Sequence, residues 1–272
     1  MAKKTKYVAK KANPDGTVPY TESENQIWKT LYDRQIQILE GRACKEFIDG
    51  LHQLKLAANR IPQPSEVSRE LQKATGWAVE PVEAVIPADE FFTLLANRRF
   101  PAASFIRYPE DLDYIEEPDI FHELFGHCPL ITLQPYADFL EAYGKKALAS
   151  DPKDLKYLFR LFWFTIEFGL IRTDEGIRIF GGGILSSYQE TLGALEDPGE
   201  SFEDFSVETA LRTPYRIDMV QPQYFVINDY QTLYDILEDP ALDKKIAEAK
   251  KLPPILPKKP FLKEGSLVKP RN

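Results

Sequence analysis

At 272 residues, 43% of them hydrophobic and 28% charged, the chain can bury a large core and has the composition of an ordinary globular protein. Its 34 basic and 42 acidic side chains leave a net charge of −8, which counts against non-specific nucleic-acid binding, since that depends on neutralising phosphates with Lys and Arg. No run of about 18 apolar residues reads as a membrane span, and two cysteines, Cys44 and Cys128, are too few for a disulfide framework and fit a cytoplasmic, reducing location.

The basic start, Met1 to Lys6, is followed by no apolar stretch and does not read as a signal peptide. Residues 1–20 are polar, contain the turn signal Asn13-Pro14-Asp15-Gly16, and read as a flexible arm. From Thr21-Glu22-Ser23-Glu24 a long helical pattern begins, with Ile27, Trp28, Leu31, Ile36 and Leu39 on recurring faces. A second helix is expected over 43–57 and a third from Pro64-Ser65-Glu66 to Thr75-Gly76. The proline-interrupted segment 77–108 predicts loops and short elements around a site, with one short helix over 88–97.

Residues 117–148 read as helical with an interruption between Pro129 and Pro135. Asp151-Pro152-Lys153-Asp154 combines a capping side chain, a Pro at the first helical position and an acid in the first turn; it starts a helix running to about Gly169. Ile171-Arg172-Thr173 and Ile177-Arg178-Ile179-Phe180 flank Asp174-Glu175-Gly176 as a small β-hairpin. Ser187 with Glu190 three residues on predicts a capping box. After 250, Pro253, Pro254, Pro257 and Pro260 with several lysines predict an extended tail. The expected architecture is mainly α, a single domain of packed helices over 21–249 with a few short β-strands, between the arm (1–20) and a Pro/Lys-rich tail (250–272).

Of the three histidines, His52, His122 and His127, two fall close together in Pro118-Asp119-Ile120-Phe121-His122-Glu123-Leu124-Phe125-Gly126-His127-Cys128-Pro129. The spacing is not the His-Glu-x-x-His of zinc proteases. At i+5 an ideal helix points the two imidazoles about 140° apart, so both meet one ion only if the helix ends or widens between them. Gly126 and Pro129 supply the means. Glu167 sits in an apolar helix, Leu161 to Ile171, where a buried carboxylate needs a cation. Arg160 is one such partner; a metal ion held with the two histidines is the other and accounts for it better. Two imidazoles and one carboxylate leave about half of an octahedral shell open, the pattern of non-haem iron(II) oxygenases. Zinc on the same three ligands is the rival assignment.

These residues, with Trp163-Phe164-Thr165-Ile166-Glu167-Phe168-Gly169, resemble the pterin-dependent aromatic amino acid hydroxylases. Thr75-Gly76-Trp77, Pro81-Val82, Tyr108 onward, Gly181-Gly182-Gly183-Ile184-Leu185-Ser186-Ser187 and Gln221-Pro222 extend the match over roughly 20–235, corresponding to the catalytic domain alone. The resemblance implies the helical fold of that family around an iron site, Fe(II), tetrahydrobiopterin or a related tetrahydropterin, and O2 as co-substrate. The reaction expected from it is hydroxylation of L-phenylalanine to L-tyrosine, with tyrosine or tryptophan hydroxylation as alternatives within the family.

By the same resemblance His122, His127 and Glu167 are the metal ligands and Glu123 lies on the pterin side. Val82, Ala84, Val85, Ile86 and Phe91 cradle the pterin. Arg107 clamps the substrate carboxylate and Trp163 packs on the substrate ring, with Tyr114, Pro118 and Gly183 also on the substrate side. Ser186 orients a ligand histidine. The glycines 181–183 lack a phosphate-loop pattern and are expected to make a tight turn. Ile115-Glu116 stands where animal members carry Thr-Pro, Phe162 replaces a Tyr and Ala84 a Gly. Ile217, where tyrosine hydroxylases carry an acid, points toward phenylalanine. From other classes, a zinc hydrolase would use Glu123 as its base, and a metal-stapled binding protein would want four ligands rather than three. The expected partner is a small molecule, with no nucleic acid and no membrane, and the chain acting as a monomer or small homo-oligomer.

Overall fold

Reciprocal capping starts the first helix. In α1 (Glu22–Leu39) the Thr21 hydroxyl accepts from the Glu24 amide, and the Glu24 carboxylate accepts from the Thr21 amide at 2.7 Å. Its inner face buries Trp28, Leu31 and Leu39. The second helix, α2 (Lys45–Leu54), is shorter than expected because Lys55 takes left-handed backbone angles (φ 51°), which ends the helical ladder. Gly76 does the same for α3 (Pro64–Thr75), at φ 77°. The structure, a computed structural model, describes residues 6–82, 86–196 and 202–257; Ala84, Val85 and the end of the Pro/Lys-rich tail lie outside them.

The segment 77–108 forms two short parallel strands, β1 (Ala78–Val82) and β2 (Arg99–Ala103), joined through α4 (Ala88–Ala96). Two helices follow, α5 (Cys128–Ile131) and α6 (Gln134–Leu148). The Asp151 carboxylate caps a preceding turn by accepting from the Lys153 amide at 2.8 Å, and α7 (Leu155–Phe162) starts after it. The hairpin appears as β3 (Gly169–Thr173) and β4 (Gly176–Ile179), antiparallel, with Gly176 at φ 108° in the turn.

Then come α8 (Gly182–Leu185), α9 (Tyr188–Gly193), β5 (Phe202–Asp204), α10 (Val207–Arg212), β6 (Tyr224–Ile227), α11 (Gln231–Glu238) and α12 (Leu242–Ala249). Strands order β4-β3-β6-β5, and β6 runs parallel to both of its neighbours. All four residues of β6 are buried, as expected of a parallel strand covered on both faces.

The arm packs over its described part. Tyr7 is buried and stacks on Phe105 (centroids 4.6 Å apart), and Val18 is buried too. The Lys10 amide donates to the Ser104 hydroxyl at 2.8 Å and the Val18 amide to the Gln63 side chain at 2.7 Å. The first residues of the tail are also held, since the Ile255 amide donates to the Arg212 carbonyl. Among the described residues no helix is long and apolar enough to cross a membrane.

Candidate metal centre and its cavity

Both segments that carry the candidate ligands are π-helical. His122–His127 closes with the Cys128 amide donating to the Glu123 carbonyl, and Trp163–Glu167 with the Phe168 amide donating to the Trp163 carbonyl at 2.8 Å. These i to i−5 bonds widen the turn, so a residue five positions on swings back over the first. The widening that the histidine spacing demands is therefore present. The second wide turn, ending at Glu167, has no counterpart in the sequence reading.

The geometry that results is convergent. His122 Nε2 and His127 Nε2 lie 3.0 Å apart, and Glu167 Oε2 is 3.5 Å and 3.3 Å from them. Donor atoms bound about 2.1 Å from one ion at right angles would be spaced about 3.0 Å, so the three fit a shared ion. Arg160 is not the partner of Glu167; its guanidinium donates to the Leu211 carbonyl at 2.6 Å. Burial pushes Glu167 up, but His127 and His122 outweigh it and hold the carboxyl below its usual range. Burial drives His122 down to about 4, so its ring is neutral and offers a lone pair.

Ser186 faces the other ring nitrogen of His122. Its Oγ is 2.9 Å from His122 Nδ1 and 3.4 Å from the Gly183 carbonyl. If the hydroxyl donates to that carbonyl, it accepts from Nδ1–H, leaving Nε2 bare toward the ion. Asp119, which the sequence reading passed over, is fully buried. It accepts from the His122 amide at 3.0 Å and from the Arg107 amide, Nε and Nη2 at 2.8–3.0 Å. An acid three residues before His122 is a helix-cap pattern, and that was the available signal.

The glycines 181–183 do not make a tight turn; none has positive φ. They open α8, whose backbone lies directly under the ligands. A Cβ on Gly182 would sit 2.5 Å from His127 Cε1, and one on Gly183 would sit 3.0 Å from Glu167 Oε2. Gly126 meets the same helix from the other side, with a Cβ there 2.5 Å from the Gly182 carbonyl. Close approach is the reason for glycine. Ser187 does cap α9 by accepting from the Glu190 amide, but the box is not reciprocal. The Glu190 carboxylate turns away to the Gln221 amide and the Tyr224 hydroxyl.

The triad opens on a cavity of about 460 Å³, within the usual range for a small-molecule site. Its wall brings together Val82, Ile86, Phe91, Arg107, Tyr114, Pro118, Glu123, Trp163, Gly183 and Ser186, and also Phe159, Phe168, Glu190 and Ile217, which carried no expected role in the site or, for Ile217, only one in selectivity. Glu123 has a ligand atom within 4.8 Å of those of the two histidines. Burial, then repulsion from Glu167 and Asp119, pushes its carboxyl well above the usual range. Glu167, which is held anionic and touches both rings, is the better ligand.

A family model described as biopterin-dependent aromatic amino acid hydroxylase matches residues 2–245. The phenylalanine-4-hydroxylase of Pseudomonas aeruginosa is 51% identical over 237 residues, covering 87% of this chain and 90% of that protein. The structure of phenylalanine hydroxylase from Legionella pneumophila superposes with a TM-score of 0.87 at 50% identity, covering 91% of this chain and 98% of that one. That of Chromobacterium violaceum phenylalanine hydroxylase, with bound iron(III) and 7,8-dihydrobiopterin, superposes with a TM-score of 0.84 at 39% identity, covering 94% of each chain. On this match of motif, fold and sequence, the chain belongs to the biopterin-dependent aromatic amino acid hydroxylase family.

Proposed function

We propose that the chain is an Fe(II)- and tetrahydropterin-dependent monooxygenase that hydroxylates L-phenylalanine to L-tyrosine with O2. The observation that carries this reading is the three-donor centre, Nε2, Nε2 and Oε2 within 3.5 Å of each other, at the end of a mostly apolar cavity with one arginine in its wall. His122, His127 and Glu167 would hold the iron, leaving room in its shell for co-substrates. Bound together, iron and the reduced pterin supply the activation of O2.

The chain's own residues bind and orient. Asp119 takes the Nε–Nη2 edge of Arg107 and steadies it, leaving Nη1 and the second Nη2 hydrogen to grip the substrate α-carboxylate. Trp163, packed between Tyr215 and Phe168, contributes its edge to the wall that receives the substrate ring, while Phe91 with Val82 and Ile86 offers an apolar bed for the pterin. Glu123, at the cavity edge, offers a carboxyl to the pterin ring nitrogens. Ile217 lines the same cavity with no charge for a phenolic hydroxyl, which favours phenylalanine over tyrosine. The free, buried Cys44 and Cys128 support a cytoplasmic location.

The test is oxygen uptake with Fe(II), tetrahydropterin and each aromatic amino acid in turn, with products identified by mass. Phenylalanine should give tyrosine with pterin-dependent uptake. Faster turnover of tryptophan, or uptake that ignores the pterin, would overturn the assignment.

A further inference from the structure

One buried acid in the cavity wall stands apart from the three-donor centre. Glu190, on α9, is 1% exposed, and such a carboxyl survives burial only if its oxygens are satisfied. They are. One accepts from the Gln221 amide at 2.9 Å, the other from the Tyr224 hydroxyl. Both donors lie where the chain enters β6, so Glu190 ties α9 to the start of that strand.

Gln221 passes this restraint on. Its side-chain oxygen accepts from Trp163 Nε1 at 3.2 Å, and its amide nitrogen donates to the Arg216 carbonyl at 2.7 Å and the Met219 carbonyl at 3.0 Å. One acceptor and both amide hydrogens are thus in use. The loop so gathered carries Tyr215, stacked on Trp163 with centroids 4.3 Å apart, and Ile217, in the cavity wall. Tyr114 holds the loop's other side, its hydroxyl donating to the Ile217 and Met219 carbonyls. The indole of Trp163 is therefore held between Tyr215 and Phe168, and its rotation within that sandwich is fixed at the N–H by Gln221.

We propose that Glu190 is a positioning residue for substrate selectivity: by holding Gln221 it fixes the Trp163 indole and the Ile217 loop, and so the shape of the space that receives the aromatic ring. The role does not require contact with substrate, and it rests on the reading of Trp163 as the substrate-ring wall. A displaced wall changes fit for rings of different size, and a misfit of about one methylene is worth about 10–200-fold in kcat/KM.

The experiment compares Glu190→Gln, Glu190→Ala and Gln221→Leu. On the iron-loaded, pterin-supplied enzyme, the kcat/KM ratio for phenylalanine over tryptophan should fall about tenfold in Glu190→Ala and Gln221→Leu. Glu190→Gln, which keeps the size and an acceptor, should stay within about threefold of wild type. Separately, the zinc-loaded chain labelled with 15N on its three tryptophans reports the Trp163 indole N–H, assigned by Trp163→Phe. That signal should move in Glu190→Ala, which keeps the Gln221 side chain as acceptor, while those of Trp28 and Trp77 stay. Because Glu190 accepts from the Gln221 backbone amide, which Gln221→Leu keeps, Glu190→Asp is the second variant where Glu190→Ala does not fold. Wild-type indole position and substrate ratio in a folded Glu190→Ala or Glu190→Asp, or a wild-type ratio in Gln221→Leu, would overturn the proposal. If the wild type hydroxylates no aromatic amino acid, the functional reading fails instead, and the indole signal still judges the positioning role.

Discussion

Replacing Gly182 by Ala tests whether close backbone approach, rather than turn formation, explains the glycine run. The added Cβ would lie 2.5 Å from His127 Cε1 and 2.8 Å from Cγ. Ordinary carbon contacts begin near 3.5 Å, so ring and helix must part by about 1 Å. The ring cannot simply retreat, because its other neighbours are Phe100, 5.1 Å between centroids, and His122. Forced overpacking of this kind costs about 1–3 kcal/mol, and ligand atoms tolerate only about 0.2 Å of displacement. If α8 moves instead, Ser186 leaves His122, a loss of the kind that costs about 10–100-fold in metal affinity. Either way iron binding should weaken by at least about tenfold, measured by competition against a calibrated chelator, with a lower melting temperature of the metal-free protein. Gly193→Ala is the control. A Cβ there meets nothing within 4 Å, and it should leave iron binding unchanged and be neutral or slightly stabilising. If Gly182→Ala bound iron as tightly as wild type and melted at the same temperature, the close-approach reasoning would be wrong.

Other expectations follow from the same geometry. Glu167→Ala should abolish stoichiometric iron in a metal analysis, whereas Arg160→Ala should retain it, because Arg160 bonds the Leu211 carbonyl; equal iron in both would refute the ligand assignment. Ser186→Ala should lower iron affinity about 10–100-fold by freeing the His122 ring, read by the same chelator competition, and unchanged affinity would remove Ser186 from the site. Burial raises Glu190 to about 7, so the folded state holds a proton that the unfolded chain has lost above its ordinary carboxylate range. Its contribution to stability is then full at low pH and disappears as pH rises through 7. Relative to Glu190→Gln, the wild type should lose on the order of 3 kcal/mol at most between pH 5 and 8. Urea unfolding of both proteins at each pH measures this, and a constant gap would contradict it.

Much of the local architecture was written in the order of residues. Thr21 with Glu24, Pro64 opening α3, Gly76 after it and the turn around Gly176 are all set by hydrogen bonds and backbone preferences within four residues. The chemistry of the centre was legible for a related reason. Only three histidines exist, and a carboxylate inside an apolar helix has few ways to be tolerated. Strand β6 was not legible, because Tyr224 to Ile227 reads equally as buried helix or strand, and its partners β3 and β5 are chosen across parallel crossovers. Nor was the packing of the arm, since Tyr7 looks like any polar-flanked aromatic until Phe105 is beside it.

The sequence by itself thus marked the capped helices and the hairpin and singled out the side chains proposed to carry the chemistry. The tertiary structure alone decided which nitrogen of His122 faces His127 and Glu167, why 181–183 must lack side chains, and which donors the two oxygens of Glu190 accept from. The division has one physical cause. Helix caps and turns are satisfied by neighbours along the chain, whereas a buried donor, a close approach or a parallel strand is satisfied by atoms that only folding brings near.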